Sequence, residues 1–205
     1  MIVIVDFGMG NLRSILKKLE MIKVSAIISS KIEDIERASK LILPGVGHFA
    51  QGIKNIKEYN LLPILNKKIL EDKTPILGIC LGMQLFAEFS EEGNSEGLGW
   101  IKAQIVRFNF DTFTQKPNIP HVGWNTIDIK HNSILLKDID KNTRFYFTHS
   151  YHYKDIADTN IITTTNYGYN FPSIISQNNI YGTQFHPEKS HLTGLEIYRN
   201  FINYS

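Results

Sequence analysis

Through residues 1–90, short apolar runs alternate with stretches in which apolar residues recur every three or four positions. Residues 2–6 open as an apolar strand that stops at Asp6. Leu12, Ile15, Leu16 and Leu19 then mark one face of a helix over residues 11–21. Residues 24–29 and 41–43 predict two further strands, and helices follow near 47–58 and 61–72. The run 75–79 predicts a buried strand ending at Cys80, and residues 83–89 read as the helix after it. Strand-helix alternation predicts an α/β fold with a parallel sheet covered on both faces. Ligands of such sheets sit at the carboxyl ends of the strands, where Asp6, Pro44 and Cys80 fall.

From about residue 97 the texture changes. Residues 101–110, 121–129, 144–153, 161–165, 173–177 and 180–185 have the composition of strands, and turn signals at Asn166-Tyr167-Gly168 and Asn178-Asn179 separate some of them. A closing helix spans 192–204. No Pro-, Gly- or Ser-rich linker divides the halves, so the expectation is one domain over residues 1–205 with a mixed, mainly parallel central sheet and a strand-rich C-terminal half.

Bulk composition narrows the function classes. The 205 residues are 42% hydrophobic and 20% charged with net charge +2, which suits neither a nucleic-acid surface nor an acidic tail. One cysteine excludes an internal disulfide framework and points to a reducing compartment. With no leader pattern and no apolar run of membrane-spanning length, the expectation is a cytoplasmic protein.

That cysteine lies in Gly78-Ile79-Cys80-Leu81-Gly82-Met83-Gln84, with a glycine two residues to either side. A strand that turns sharply into a helix at a glycine-flanked nucleophile is a nucleophile elbow. A thiol at a helix N-terminus sits in a positive field that favours the thiolate. Most lone cysteines are only packing residues, so the elbow needs a base. His186, in Gln184-Phe185-His186-Pro187-Glu188, is the candidate. Pro187 biases it toward an extended conformation, which would set Glu188 on the same face to fix the imidazole tautomer. Pro44-Gly45-Val46-Gly47 ends the third strand and can turn an N–H of Val46 or Gly47 toward a developing oxyanion, with Leu81 N–H as the second donor.

Two other patterns lead nowhere. Gly8-Met9-Gly10-Asn11 lacks the third glycine of a dinucleotide loop, position 13 being arginine, so a nicotinamide cofactor is rejected in favour of a structural or interface turn. The seven histidines offer only the pairs His149/His152 and His186/His191, neither with a third ligand at zinc spacing, so no metal is expected, and His131 reads as solvated.

The elbow around Cys80 and the Gln-Phe-His-Pro-Glu-Lys-Ser stretch resemble the class I, triad-type glutamine amidotransferases. Asp6-Phe7-Gly8-Met9-Gly10-Asn11-Leu12, Pro120-His121-Val122-Gly123-Trp124-Asn125 and Phe147-Thr148-His149-Ser150-Tyr151 narrow the resemblance to the glutaminase subunits of imidazole glycerol phosphate synthases, over residues 2–202. The resemblance implies that Cys80, His186 and Glu188 form the triad and that Gly45, Gly47, Gln84, Glu92, His149, Ser150 and Tyr151 hold glutamine. It implies a three-layer, flavodoxin-like fold and no cofactor. It also implies a (β/α)₈-barrel cyclase partner docked near Asn11, Trp124 and Lys189, which uses the ammonia to make imidazole glycerol phosphate and AICAR for histidine synthesis. Thr148, Ala103 and His191 depart from the family pattern, where an apolar residue, a glycine and a glutamine are expected. A paralogous subunit supplying ammonia for a sugar nucleotide in surface glycan synthesis would carry the same triad. A stand-alone cysteine hydrolase and an inactive scaffold are the readings from other classes.

Overall fold

A computed structural model describes residues 1–205. In chain order it holds β1 (Ile2–Val5), α1 (Leu12–Met21), β2 (Ala26–Ser29), α2 (Ile32–Glu36), β3 (Lys40–Gly45), α3 (Phe49–Glu58) and α4 (Leu62–Asn66). The nucleophile region follows as β4 (Ile76–Cys80), α5 (Leu81–Gln84), β5 (Ala87–Ser90), β6 (Ser95–Glu96) and β7 (Ile101–Arg107). The rest is β8 (His121–Thr126), β9 (Asp128–Ile129), β10 (Arg144–His149), β11 (Tyr151–Lys154), β12 (Ile161–Tyr167), β13 (Tyr169–Gln177), β14 (Ile180–Thr183) and α6 (His191–Tyr204).

The main sheet runs β2-β1-β3-β4-β14-β13-β12-β9. Its first five strands are parallel neighbours, and β13, β12 and β9 continue it antiparallel. This is the expected mixed sheet, and its apolar strands are explained by burial on both faces. Strand alternation sends Val3, Val5, Leu41, Leu43 and Ile76 into one core, with α2, α3 and α4. Ile2, Ile4, Ile42, Leu77 and Ile79 enter the other, with α1 and α6. Helix α3 buries Phe49, Gly52, Ile53 and Ile56, the stripe of an amphipathic helix. No helix is long and apolar enough to cross a membrane.

Four expectations change. The helix expected over 83–89 stops after one turn at Gln84, and the chain becomes β5. The carbonyls of Leu85, Phe86, Ala87 and Glu88 accept from the N–H groups of residues 97–101, a distant segment that outcompetes the helical pattern. The run 144–153 is two strands broken at Ser150: β10 pairs with β8, whereas β11 pairs with β7 in another sheet. The run 121–129 likewise divides into β8 and β9, in different sheets. The helix expected over 61–72 is α4 followed by a π-helical turn, Lys67–Glu71, in which buried Lys68 donates to the Glu36 carbonyl at 3.1 Å.

Candidate active site

Cys80 ends β4 at the centre of the sheet, between β3 and β14. Its backbone, φ 52° and ψ −108°, lies where side chains are rarely found. The strain sits on the cysteine itself, and the flanking glycines serve close approach. A Cβ on Gly82 would lie 1.8 Å from the Leu43 carbonyl oxygen, and one on Gly78 would lie 2.6 Å from the Phe86 ring. Positive φ combined with a strongly negative ψ at a non-glycine residue is the mark of an enforced geometry. Helix α5, with four residues, adds little dipole; its useful group is the Leu81 N–H, which as the first helical residue has no intrahelical acceptor.

His186 follows β14, the strand beside β4. Its N–H donates to the Tyr146 carbonyl of β10, and its carbonyl accepts from the Ser190 hydroxyl at 2.7 Å. The same Ser190 oxygen accepts from Tyr146 N–H at 3.0 Å, so the segment is clamped to β10. His186 is extended as expected, but Pro187–Lys189 then forms a 3₁₀ turn. Glu188 therefore reaches the imidazole from a turn rather than by strand alternation. Its Oε1 lies 2.7 Å from His186 Nδ1, and both side chains are buried. Burial lowers the His186 pKa, but interaction with the Cys80 sulfur and then with Glu188 outweighs it and raises it to about 10. His186 Nε2 is buried and spends no hydrogen bond on any other protein group. Glu188 Oε2 is unpaired too, as is the Tyr198 hydroxyl of α6, whose pKa burial and then the Glu188 charge push well up.

Cys80 and His186 open into a cavity of about 450 Å³ lined also by Val46, Gly47, Leu81, Gln84, Glu92, His149, Ser150, Tyr151 and Lys189. Pro120 and Thr148 join the lining without having been anticipated. Val46 and Gly47 are exposed at its edge, and Gly47 has φ +110°. Gly45 lies outside the lining, packed under Leu81. Asn11 and Trp124 are also outside it; Trp124 stacks on His191 at 5.0 Å, and Lys189 Nζ sits 5.6 Å from the Tyr146 ring centroid. A larger cavity, about 800 Å³, is lined by Arg107, Phe110, His152 and Tyr169 among others and contains none of the anticipated site residues.

Several lining groups are already engaged. Glu92 Oε2 accepts from Phe49 N–H at the start of α3, 2.8 Å. Gln84 Nε2 donates to the Tyr151 carbonyl at 2.9 Å and to Gln184 Oε1 at 3.1 Å. His149 spends Nδ1 on the Tyr151 carbonyl at 2.8 Å and Nε2 on His121 Nδ1 at 3.2 Å. Burial keeps both imidazoles neutral: His149 falls well below its ordinary range and His121 falls to about 4. Sequence reasoning missed His121 and Gln184, both buried; Gln184 Nε2 lies 3.7 Å from Cys80 Sγ.

Comparison with known proteins supplies the family context. A family model described as Glutamine amidotransferase class-I matches residues 3–204. The chain is 48% identical over 202 residues to imidazole glycerol phosphate synthase subunit HisH 2 of Methanococcus maripaludis, covering 98% of each chain. It is 41% identical over 203 residues to subunit HisH of Leptospira borgpetersenii, covering 99% of this chain and 100% of that one. A solved glutamine amidotransferase shares the fold at TM-score 0.73 and 19% identity, over 98% of this chain and 96% of that one.

Proposed function

The chain belongs to the class-I glutamine amidotransferase family, and on that premise we propose that residues 1–205 act as one domain, the glutaminase subunit of an imidazole glycerol phosphate synthase. The supporting observation is the buried His186–Glu188 pair at 2.7 Å, set beside Cys80 on a cavity of small-molecule size.

In this reading His186 Nε2 takes the Cys80 thiol proton, and Sγ attacks the glutamine carboxamide carbon. A C–S bond forms and the carbonyl electron pair moves onto oxygen. Leu81 N–H and an N–H of the Val46–Gly47 loop receive that oxyanion. Collapse breaks the C–N bond, and His186 gives its proton to the departing ammonia. Water then attacks the thioester with His186 as base, the C–S bond breaks, and glutamate leaves. Glu188 holds the imidazolium throughout. The cavity edge formed by Gly47, Gln84, Glu92 and residues 149–151 binds the amino-acid end of glutamine. Because the His149 ring is committed within the protein, its contribution is through backbone.

Ammonia passes to a (β/α)₈-barrel cyclase docked over the face that includes Asn11, Trp124 and Lys189. There it is joined to a phosphorylated ribulosyl carboxamide nucleotide, giving imidazole glycerol phosphate and AICAR. The exposed loop at Val46 and Gly47 suits a partner-controlled oxyanion hole, since glycine tolerates both peptide orientations. Adding the barrel subunit with its nucleotide should raise glutamate release by at least about 10²-fold, the worth of one oxyanion donor. Full activity of the isolated chain, unchanged by the barrel, rejects the gating and the subunit assignment together. Growth without histidine of a strain lacking its own glutaminase subunit, restored by this chain, separates the histidine role from the glycan alternative.

A further inference from the structure

We propose that Gln184 is the hydrogen-bond donor that holds the Cys80 thiolate from the protein side, its amide locked in the donating orientation by a buried chain running from His121 through His149, the Tyr151 carbonyl and Gln84. The inference rests on Cys80 being the nucleophile.

The Tyr151 carbonyl fixes the direction of every bond, because a carbonyl oxygen can only accept. It receives Gln84 Nε2 at 2.9 Å and His149 Nδ1 at 2.8 Å. Gln84 therefore presents its NH₂ group inward, and His149 carries its proton on Nδ1. Neutral His149 then has a bare Nε2, which accepts from His121 Nδ1–H at 3.2 Å. The second Gln84 N–H goes to Gln184 Oε1 at 3.1 Å. That leaves Gln184 Nε2 facing Cys80 Sγ at 3.7 Å. Reversing the Gln184 amide would oppose two NH₂ groups and turn an oxygen toward the sulfur. The orientation of such amides is set by their partners, and here the anchor is unambiguous.

Besides His186, the sulfur has two polar neighbours with opposite proton preferences. The Thr148 carbonyl, 3.9 Å away, accepts only from the thiol S–H. Gln184 donates and favours the thiolate. Once the proton moves to His186, the Thr148 oxygen faces a negative sulfur, and the Gln184 N–H offsets that contact. Gln184 is fully buried and absent from the cavity lining, so it leaves the cavity side of Sγ to the carboxamide. A buried primary amide is costly without partners; here every link of the chain is paired. The titratable groups sharing the cavity with the sulfur are His186, Lys189, Glu92, His149 and Tyr151.

The test uses the full chain without glutamine. Cys80 is the sole cysteine, so its alkylation by iodoacetamide against pH reports one thiol. Gln184→Met should move the alkylation midpoint up by about one to two pH units, the value of a hydrogen bond to a charged group. His121→Phe, at the far end of the chain, should move it the same way by less. In the wild type, one slowly exchanging ¹⁵N glutamine side-chain amide should shift with the alkylation midpoint. That measurement stands even where Gln184→Met does not fold. An unmoved midpoint in folded Gln184→Met, or no responding amide, overturns the proposal. Glutaminase activity surviving in Cys80→Ala would instead overturn the nucleophile assignment beneath it.

Discussion

Gly194 lies on α6, yet its substitution should be felt at the triad. A Cβ there would sit 1.8 Å from the Pro187 carbonyl oxygen, 2.6 Å from its carbonyl carbon and 3.0 Å from its Cα. All three are backbone atoms, so no side chain can rotate away. Restoring ordinary contact requires the Pro187 segment and α6 to separate by roughly 1.5 Å. Pro187 joins His186 to Glu188, so that displacement enters the pair directly. Gly194→Ala gains roughly 1 kcal/mol of helix propensity and loses about 1–3 kcal/mol to overpacking. Stability should therefore fall only slightly, by a few degrees in Tm. Turnover should fall further, by about 10²-fold for an ångström of misplacement at a reacting group. Glutamate release with the barrel partner present, run beside a melting curve, reads both. The exposed helix position Asn203→Ala is the control and should change neither. Wild-type turnover in folded Gly194→Ala would refute the argument that α6 sets the His186–Glu188 geometry.

Cys80→Ala should lower glutaminase turnover by at least about 10³-fold, and a glutamine-like diazo-ketone should label Cys80 unless glutamine protects it. His186→Ala should nearly abolish activity, whereas Glu188→Gln should cost less, since it orients rather than transfers the proton; equal wild-type rates would reject the assignment. Neutral burial of His121 predicts acid sensitivity: its stabilisation is full above pH 6.5 and is lost as pH falls through 6.5 toward 4. That loss approaches about 3 kcal/mol from this residue, so urea midpoints at pH 7.5 and 5 should differ in the wild type and differ less in His121→Phe.

Features carried by neighbouring residues were legible in the sequence. Gly78, Cys80 and Gly82 announce a tight strand-to-helix turn, and the closeness of His186 and Glu188 in sequence announces the contact between their side chains. The apolar runs of β1, β3 and β4 announce strands buried on both faces. What depends on distant competition was not legible. Residues 83–89 have a helical pattern, but the N–H groups of residues 97–101 take their carbonyls. Residues 144–153 form one unbroken strand signal, and only the different partners of β10 and β11 divide it at Ser150. Gln184 stood inside a motif already noticed; its role emerges only when the Tyr151 carbonyl fixes which end of its amide meets Cys80. Gly194 resembles any helical glycine until α6 docks on Pro187.

The strand order also sets a timetable for synthesis. β4 waits for β14 along its second edge, and Cys80 and Gln184 stand 104 residues apart. A ribosome adding about 5–20 residues per second takes on the order of 5–20 s to cover that distance. Meanwhile Ile76-Leu77-Gly78-Ile79 presents an uncharged, unpaired edge, the kind that recruits strands from other nascent chains. On the proposed reaction, Cys80 is emitted early but without His186, so the half-made chain spends no glutamine. Arrival of β14 closes the exposed edge and brings His186 to the end of β4 that carries Cys80, so one pairing event protects the strand and assembles the pocket's two central side chains.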